Sequence, residues 1–451
     1  MTEHVEAVTF PGGIHPPYRK SYTKDKAVER AGEPEVVVIP LHQHTGAPNE
    51  AQVAVGDEVR VGQVIGATDA FVSAPVHSSV SGKVKAIELG PHPAMGAKVM
   101  SVVIESDGTE TLHDSVKPRG DYSDMSPDDV KTIIRDSGIV GLGGAAFPTA
   151  VKVSPPKDKP IDTYLLNGAE CEPYLTSDHR LMVERADEVV YGLRVLMHAS
   201  GTPRAVVCVE DNKPDAIAAL KKAVAGLENI EVTALHTKYP QGSEKHLIKA
   251  VLSREVPTGG LPFHVGVMVS NAGTAVAVSD AFQKGMPLIE RVVTVTGSIV
   301  KEPRNLLAKI GTRFGDLIEE CGGLTGKPSK VLMGGPMMGI AQYTLEVPVI
   351  KGTSGILVLS EEEADFGPTV PCVKCARCVD VCPVSLLPLF LAAYSERKMY
   401  DMAEASNALD CIECGCCSYV CPARRPLVHA IRVAKAEIMQ KKRREMQAAK
   451  K

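Results

Sequence analysis

Two short runs near the carboxyl end constrain this chain more than any other feature. CVKCARCVDVCP contains Cys372, Cys375, Cys378 and Cys382, and CIECGCCSYVCP contains Cys411, Cys414, Cys417 and Cys421. Each is C-x2-C-x2-C-x3-C followed by proline, the bacterial-type [4Fe–4S] run. Three thiolates from one tight loop reach three corners of a cubane, and the fourth, one turn on, completes the other cluster. The spacing therefore assigns Cys372, Cys375, Cys378 and Cys421 to one [4Fe–4S] cluster, and Cys411, Cys414, Cys417 and Cys382 to the second. Zinc ribbons use two C-x2-C pairs, which neither run matches, and inert cysteines have no reason to repeat the pattern. Cys416 breaks the register and reads as a buried spectator.

The chain has 12 cysteines, and Cys171, Cys208 and Cys321 lie far from both runs. The opening MTEHVEAVTF lacks a basic region followed by an apolar run, so no signal peptide is expected, and the cysteines read as metal ligands in a reducing compartment. A formal charge of -4 argues against nucleic acid as a partner, and 4% aromatic residues with no tryptophan argue against a stacking platform for single strands. A long uncharged stretch, 259–279, contains Pro262, His264, Asn271 and several glycines, a poor composition for a bilayer span. With 451 residues the chain exceeds one hydrophobic core, and two to four domains are expected.

The first 118 residues read as β-rich: VGDEVRVGQVIG and APVHSSVSGKVKAIE alternate branched apolar and polar residues between glycine turns. They resemble the two halves of a biotinyl/lipoyl barrel sandwich, a family that modifies a lysine at the hairpin tip between them. No lysine occurs from Gly62 to Ser81, so the module is expected to be structural or a docking surface. A helix opens at SPDDVKTIIRDSG, with Ser126 as cap, Pro127 at its first position and Gly138 beyond its end. Strands are expected at TYLLNG, RAVVCVED and IEVTALHT, and helices at DHRLMVERADEVVYGLRVLM, KPDAIAALKKAVAGL and SEKHLIKAVLS, which implies a parallel or mixed sheet covered by helices. A smaller α+β unit spans about 290 to 360. From Pro371 on no strand is visible, and the cysteine region resembles the all-helical two-cluster ferredoxin module.

GIVGLGGAAFPTAVK, from Gly138 to Lys152, fits the glycine spacing of a dinucleotide fold at Gly141, Gly143 and Ala146. A Rossmann fingerprint follows a strand and opens a helix; here a capped helix precedes the loop and Pro148 follows closely, so that reading fails. A bare turn needs fewer glycines, whereas glycines that let backbone N–H groups approach a phosphate, with a lysine downstream, suit a phosphorylated cofactor. The segment GLGGAAFPTAVK resembles the flavin-binding loop of the NADH-oxidising flavoprotein subunit of complex I. LNGAECEP resembles that family's second flavin segment through Asn167, Glu170 and Glu172. YPQGSEKHL resembles the third through Tyr239, Gly242 and Glu244, and SNAGTAV the fourth through Asn271 and Thr274. Leu142 and Ala169 replace an arginine and an aspartate of that pattern.

Over its whole length the chain also resembles the RnfC family, one of the subunits of the Rnf ion-translocating ferredoxin:NAD+ oxidoreductase, through FPGGIHPPYRK at Phe10 to Lys20 followed by all the segments above. The resemblance implies a multidomain α/β and α+β protein: a barrel-sandwich β domain at 1–118, an α/β domain binding FMN and NADH at 119–289, a soluble-ligand-binding β-grasp-like domain at 290–365, and a helical two-cluster ferredoxin domain at 366–451. It further implies noncovalent FMN and NAD+/NADH, with no catalytic side chain beyond the cofactors. Gly141, Gly143, Gly144 and Lys152 would hold the FMN phosphate and ring. Phe147 would stack near nicotinamide or adenine, and Glu170, Glu172 and Glu244 would accept hydrogen bonds from ribose or ring groups. Phe147 reads equally as a core aromatic; Glu170 and Glu172 can also be read as a solvated loop, although carboxylates directly after a strand more often serve a site. The implied partners are the membrane subunits of the complex, with ferredoxin reached indirectly, at the cytoplasmic face of the cell membrane. His15 and His264 read as structural. The basic tail from Ile431 reads as an exposed helix, or as a contact for an anionic membrane surface or partner. Two further readings are a microcompartment cobalamin reductase, which lacks the GGIHPP-type start, and a non-catalytic electron wire. A Na+-pumping quinone reductase subunit should lack the cluster cysteines.

Overall fold

The structure, a computed structural model, describes residues 7–156, 158–364 and 367–448. The first six residues, the last three of the basic tail and the expected boundary at 365–366 lie outside the described residues. No helix among those described is long and apolar enough to cross a membrane.

The barrel sandwich consists of two antiparallel sheets. Strands 36–40, 98–106, 82–91 and 58–59 form one, and 50–51, 64–67 and 76–77 the other. Alternation turns Val37, Ile39, Ile65, Val76, Val102 and Ile104 into one shared core. Within this expected domain, Val28–Arg30 pairs in parallel with Arg304–Lys309 and closes the edge of the six-stranded sheet of the β-grasp-like unit. A three-residue strand bearing Glu29 and Arg30 has too little apolar pattern to announce its sheet.

The central unit is a four-stranded parallel sheet in the order 230–235, 204–210, 163–168, 267–271. The strands 204–210, 163–168 and 267–271 are buried on both faces, as parallel strands covered by helices must be. Ser126 caps the helix Pro127–Asp136 as expected, accepting from Asp129 N at 3.2 Å. The long helical run breaks at Arg185 into Ser177–Glu184 and Ala186–Ser200, and the Arg185 guanidinium is held by Asp280 at 2.7 and 3.0 Å. Val267–Asn271, inside the long uncharged stretch, is the fourth strand and runs into the helix Ala272–Gln283.

The carboxyl-terminal unit is helical. Ile431, Ala434 and Ile438 lie on one face of the helix Leu427–Ala448 and pack with Leu391 and Ala403 of Pro388–Glu396 and Tyr400–Ala405. Part of the basic tail is paired internally: Lys441 with Asp401 and Lys442 with Glu404, both at 2.7 Å.

Candidate functional site

The central sheet reverses its winding next to Thr163–Gly168. From that strand the chain moves outward to 204–210 and 230–235, then returns on the opposite side with 267–271. A parallel sheet opens its ligand crevice at the carboxyl ends of the strands flanking such a switch. Here those ends carry Asn167 and Asn271.

The glycine loop seats in this crevice. Its neck is closed by Gly141 N donating to Phe147 O (2.8 Å) and by the bridge between Val140 and Pro148. Leu142 N donates to Thr274 Oγ1 at 3.0 Å. A Cβ on Gly143 would lie 3.1 Å from Asn271 Cβ, a tight contact that glycine avoids. Gly143, Gly144 and Ala145 remain exposed and present bare backbone to solvent. Asn271 caps the helix Ala272–Gln283 by accepting from Gly273 N (2.8 Å) and donates to Asp178 Oδ2 (2.6 Å). The amino end of that helix adds its dipole and amides to the crevice. An exposed glycine backbone beside a capped helix start fits a phosphorylated cofactor.

The other segments converge on the same place. Asn167 Nδ2 donates to Gly242 O (2.8 Å), and a Cβ on Gly242 would meet Ala169 O at 2.5 Å. Lys152 Nζ donates to Glu244 Oε2 at 2.7 Å, tying the glycine loop's helix to the start of Glu244–Leu252. Phe147 is half-buried and belongs to none of the buried clusters, which disfavours the core reading.

Three of these residues are engaged within the protein itself. Glu170 is buried and accepts from Ser177 Oγ (3.2 Å), Asp178 N (2.8 Å) and His179 N (3.3 Å). Its carboxylate is occupied by the start of Ser177–Glu184, because unsatisfied helix amides attract a carboxylate strongly. Glu172 accepts from Met337 N (3.1 Å) and Met338 N (2.8 Å), joining the acidic loop to the β-grasp-like unit. Burial pushes its carboxyl up to about 7. Tyr239 is buried, and its hydroxyl donates to Cys414 O at 2.8 Å.

Several supporting residues carry no spacing signal. Lys20 is buried, and its ammonium donates to the carbonyls of Glu170 (2.8 Å), Glu172 (3.0 Å) and Leu175 (2.6 Å), which holds the acidic loop closed. Arg291, buried beneath the glycine loop, donates to Thr353 O (3.2 Å) and Leu142 O (3.5 Å). Burial lowers its guanidinium to about 10, partly offset by Asp178. Asp178 in turn is raised to about 6 by burial and by Glu170. A lysine inside FPGGIHPPYRK, next to a motif, was the one available hint.

The cysteines ring two cavities. Cys372, Cys375, Cys378 and Cys421 line the first, and Cys382, Cys411, Cys414 and Cys417 line the second, together with Cys416. All are free thiols, a soft donor set suited to iron–sulfur clusters. Both runs fold alike. Lys374 and Glu413 take positive φ (55° and 59°), as do Ala376 and Gly415, and the short helices Arg377–Asp380 and Cys416–Tyr419 follow. Backbone N–H groups of Lys374 and Glu413 donate to Cys372 and Cys411 sulfurs, each at 3.4 Å. In this alignment Cys416 corresponds to Arg377, and its thiol points to Tyr239 O at 3.9 Å. Burial pushes the thiols of Cys411 and Cys417 up to about 11 and about 12, so ligation there would release protons.

The two cavities are placed differently. Cys372 and Cys375 are exposed, whereas Cys414 is buried against Cys171 and Tyr239 of the central unit. There Tyr239 meets Cys414, His246 Nε2 contacts Pro383 O (2.9 Å) and Gly13 N donates to Val381 O (2.9 Å).

Comparison with known families agrees with this layout. The RnfC barrel sandwich hybrid domain matches residues 8–109, the Nuo51 FMN-binding domain 134–280, the SLBB domain 292–341 and the 4Fe-4S dicluster domain 371–424. The C subunit of the Na(+)-translocating ferredoxin:NAD(+) oxidoreductase complex of Acetobacterium woodii is 51% identical over 441 residues, 98% of this chain and 99% of that protein. The C subunit of the proton-translocating ferredoxin:NAD(+) oxidoreductase complex of Clostridium ljungdahlii is 47% identical over 430 residues, covering 95% and 94%. The C subunit of the ion-translocating oxidoreductase complex of Rhodobacter capsulatus is 40% identical over 446 residues, covering 98% and 86%.

Proposed function

The chain belongs to the RnfC family, the C subunits of ion-translocating ferredoxin:NAD(+) oxidoreductase complexes, and from that premise we propose how its residues serve electron exchange between two [4Fe–4S] clusters, FMN and NAD+/NADH. FMN would supply the junction between two-electron exchange with nicotinamide and one-electron exchange with the clusters. The backbone of Gly141, Gly143 and Gly144, and the amides at the start of Ala272–Gln283, would hold its phosphate. Lys152, paired with Glu244, lends positive charge beside them. Asn167 and Asn271 orient the crevice floor, Gly242 and Thr274 hold the segments in register, and Phe147 offers an aromatic face to nicotinamide or adenine. Glu170, Glu172 and Tyr239 act as positioning residues that keep the acidic loop and the cluster unit in place.

Cys382, Cys411, Cys414 and Cys417 would hold the inner cluster, next to the crevice, and Cys372, Cys375, Cys378 and Cys421 the outer one. The exposure of Cys372 and Cys375 supports an outer cluster that meets the neighbouring subunit. In this reading the protein is a peripheral subunit at the cytoplasmic face of the membrane. Other subunits relay electrons from ferredoxin, and NAD(H) binds from solution. The observation that carries the reading is the contact of Tyr239, in a crevice segment, with Cys414 of the inner cysteine ring.

The test is anaerobic reduction of cluster-loaded protein supplied with FMN. Addition of NADH should bleach the flavin band and then the broad cluster band. A chain holding about eight irons that takes up no flavin and shows no bleaching would be an electron wire, and this reading would be wrong.

A further inference from the structure

The outer side of the glycine loop is walled by a different domain. Thr45, in the barrel loop LHQHTGAP, donates its hydroxyl to Ala145 O (2.7 Å) and its N–H to Ala146 O (3.2 Å). The barrel's hairpin tip, 68–75, lies against that same loop. Ala47 N donates to Val72 O at 3.1 Å, and a Cβ on Gly46 (φ +135°) would lie 2.1 Å from that carbonyl. Only glycine permits so close an approach. A second tie fixes the hairpin independently: the buried Lys351 ammonium donates to Pro75 O (2.7 Å) at the hairpin's base and to Gly138 O (2.6 Å) where the glycine loop begins.

This hairpin tip is where the biotinyl/lipoyl family carries its modified lysine. Here it carries Phe71, which is 77% exposed, more than any other large apolar side chain among the described residues. An exposed phenyl ring on a hairpin tied through Thr45 to an open phosphate-type loop offers a flat apolar face, and stacking on a nucleobase requires no hydrogen-bond partner.

We propose that the barrel hairpin forms the outer wall of the dinucleotide site and that Phe71 stacks on the adenine of NAD(H). The proposal rests on the crevice being a flavin and nicotinamide site. The reacting nicotinamide must lie over the crevice floor marked by Asn167 and Asn271. The hairpin that carries Phe71 is tied through Ala47 and Thr45 to Ala145 and Ala146, whereas Leu142 and Gly143 meet Thr274 and Asn271 on the floor side, so the end of the dinucleotide that does no chemistry would emerge towards the hairpin.

The chain contains no tryptophan, so F71W introduces a single indole reporter. In protein loaded with FMN and clusters, ADP should change its emission saturably, and nicotinamide mononucleotide should not. In NADH-driven reduction of an artificial acceptor, F71A should raise KM for NADH about tenfold, which is ~1.4 kcal/mol, and leave kcat within about twofold. F71Y should retain the wild-type KM. An indole indifferent to ADP, a response to nicotinamide mononucleotide in its place, or an unchanged KM in F71A, while wild type is still bleached by NADH, overturns the proposal alone. Absence of bleaching in wild type overturns the underlying reading with it.

Discussion

Glu172 illustrates how far a residue's chemistry can be read before its surroundings are known. Its acidity and its place after a strand point to a site, but its partners are two backbone N–H groups more than 160 residues away. Burial raises its carboxyl from 4.5 to about 7. A folded value above the unfolded one means that the native state holds a proton the unfolded chain releases. The stabilisation is therefore complete below about pH 4.5 and is lost as pH rises through about 7. Its size is on the order of 3 kcal/mol. E172Q carries no titrating group, so urea unfolding at pH 5 and pH 8 should show a smaller difference between the two pH values than in wild type. Parallel losses in both proteins would mean that Glu172 is not the group responsible. The cluster cysteines were legible because their ligand geometry is local and recurs at fixed spacing. Lys20, Arg291 and Lys351 were not, because each is defined by distant carbonyls and no sequence interval encodes such a partner.

At the scale of elements, the least legible part is the stretch from Val8 to Arg30. It has no periodicity because it belongs to no single unit. Val8 bridges to Leu235 at the sheet edge, Ile14 to Tyr239, and Tyr18 O accepts from Tyr174 N, before Val28–Arg30 joins the β-grasp-like sheet. Between these points Gly12 and Gly13 lie against the cluster unit. A Cβ on Gly13, at φ +80°, would stand 2.6 Å from Tyr239 O, and Gly13 N holds Val381 O. G13A should therefore lift this strap from the inner cysteine ring. The expected outcome is a loss of about 2 kcal/mol or more in unfolding free energy, together with loss of inner-cluster iron. Gly108, at φ +71° with open space around it, supplies the control. G108A carries the same backbone strain without the clash, so equal losses in the two variants would leave the strap without a role. The central strands and capped helices were visible in the sequence because burial on both faces, Ser126 and Pro127 act within one turn or strand. The strand 267–271 was hidden, since a long uncharged stretch hides where one element ends and the next begins.

At the scale of the whole molecule, the two cysteine runs exchange their fourth members, and this exchange makes the helical unit one object. Cys382 leaves the first run to line the inner cavity, and Cys421 leaves the second to line the outer one. The sequence alone orders the runs as first and second, but it does not say which cavity is nearer the crevice. That depends on Tyr239, His246 and Gly13 meeting the 381–383 and 414 backbone. Single substitutions should therefore have crossed effects. C421A alters the second run yet should empty the outer cavity, roughly halving the iron from about eight per chain while NADH still reduces the inner cluster. C382A alters the first run yet should empty the inner cavity, and the outer cluster should then no longer be reduced by NADH at the wild-type rate. Iron content with low-temperature electron paramagnetic resonance, read before and after NADH, distinguishes the two. If C421A instead abolished NADH reduction of the remaining cluster and C382A spared it, the inner and outer order would be reversed. Electrons would then have to reach the crevice from the exposed Cys372 side, where among the described residues no contacts like those of Tyr239, His246 and Gly13 at the buried one are made.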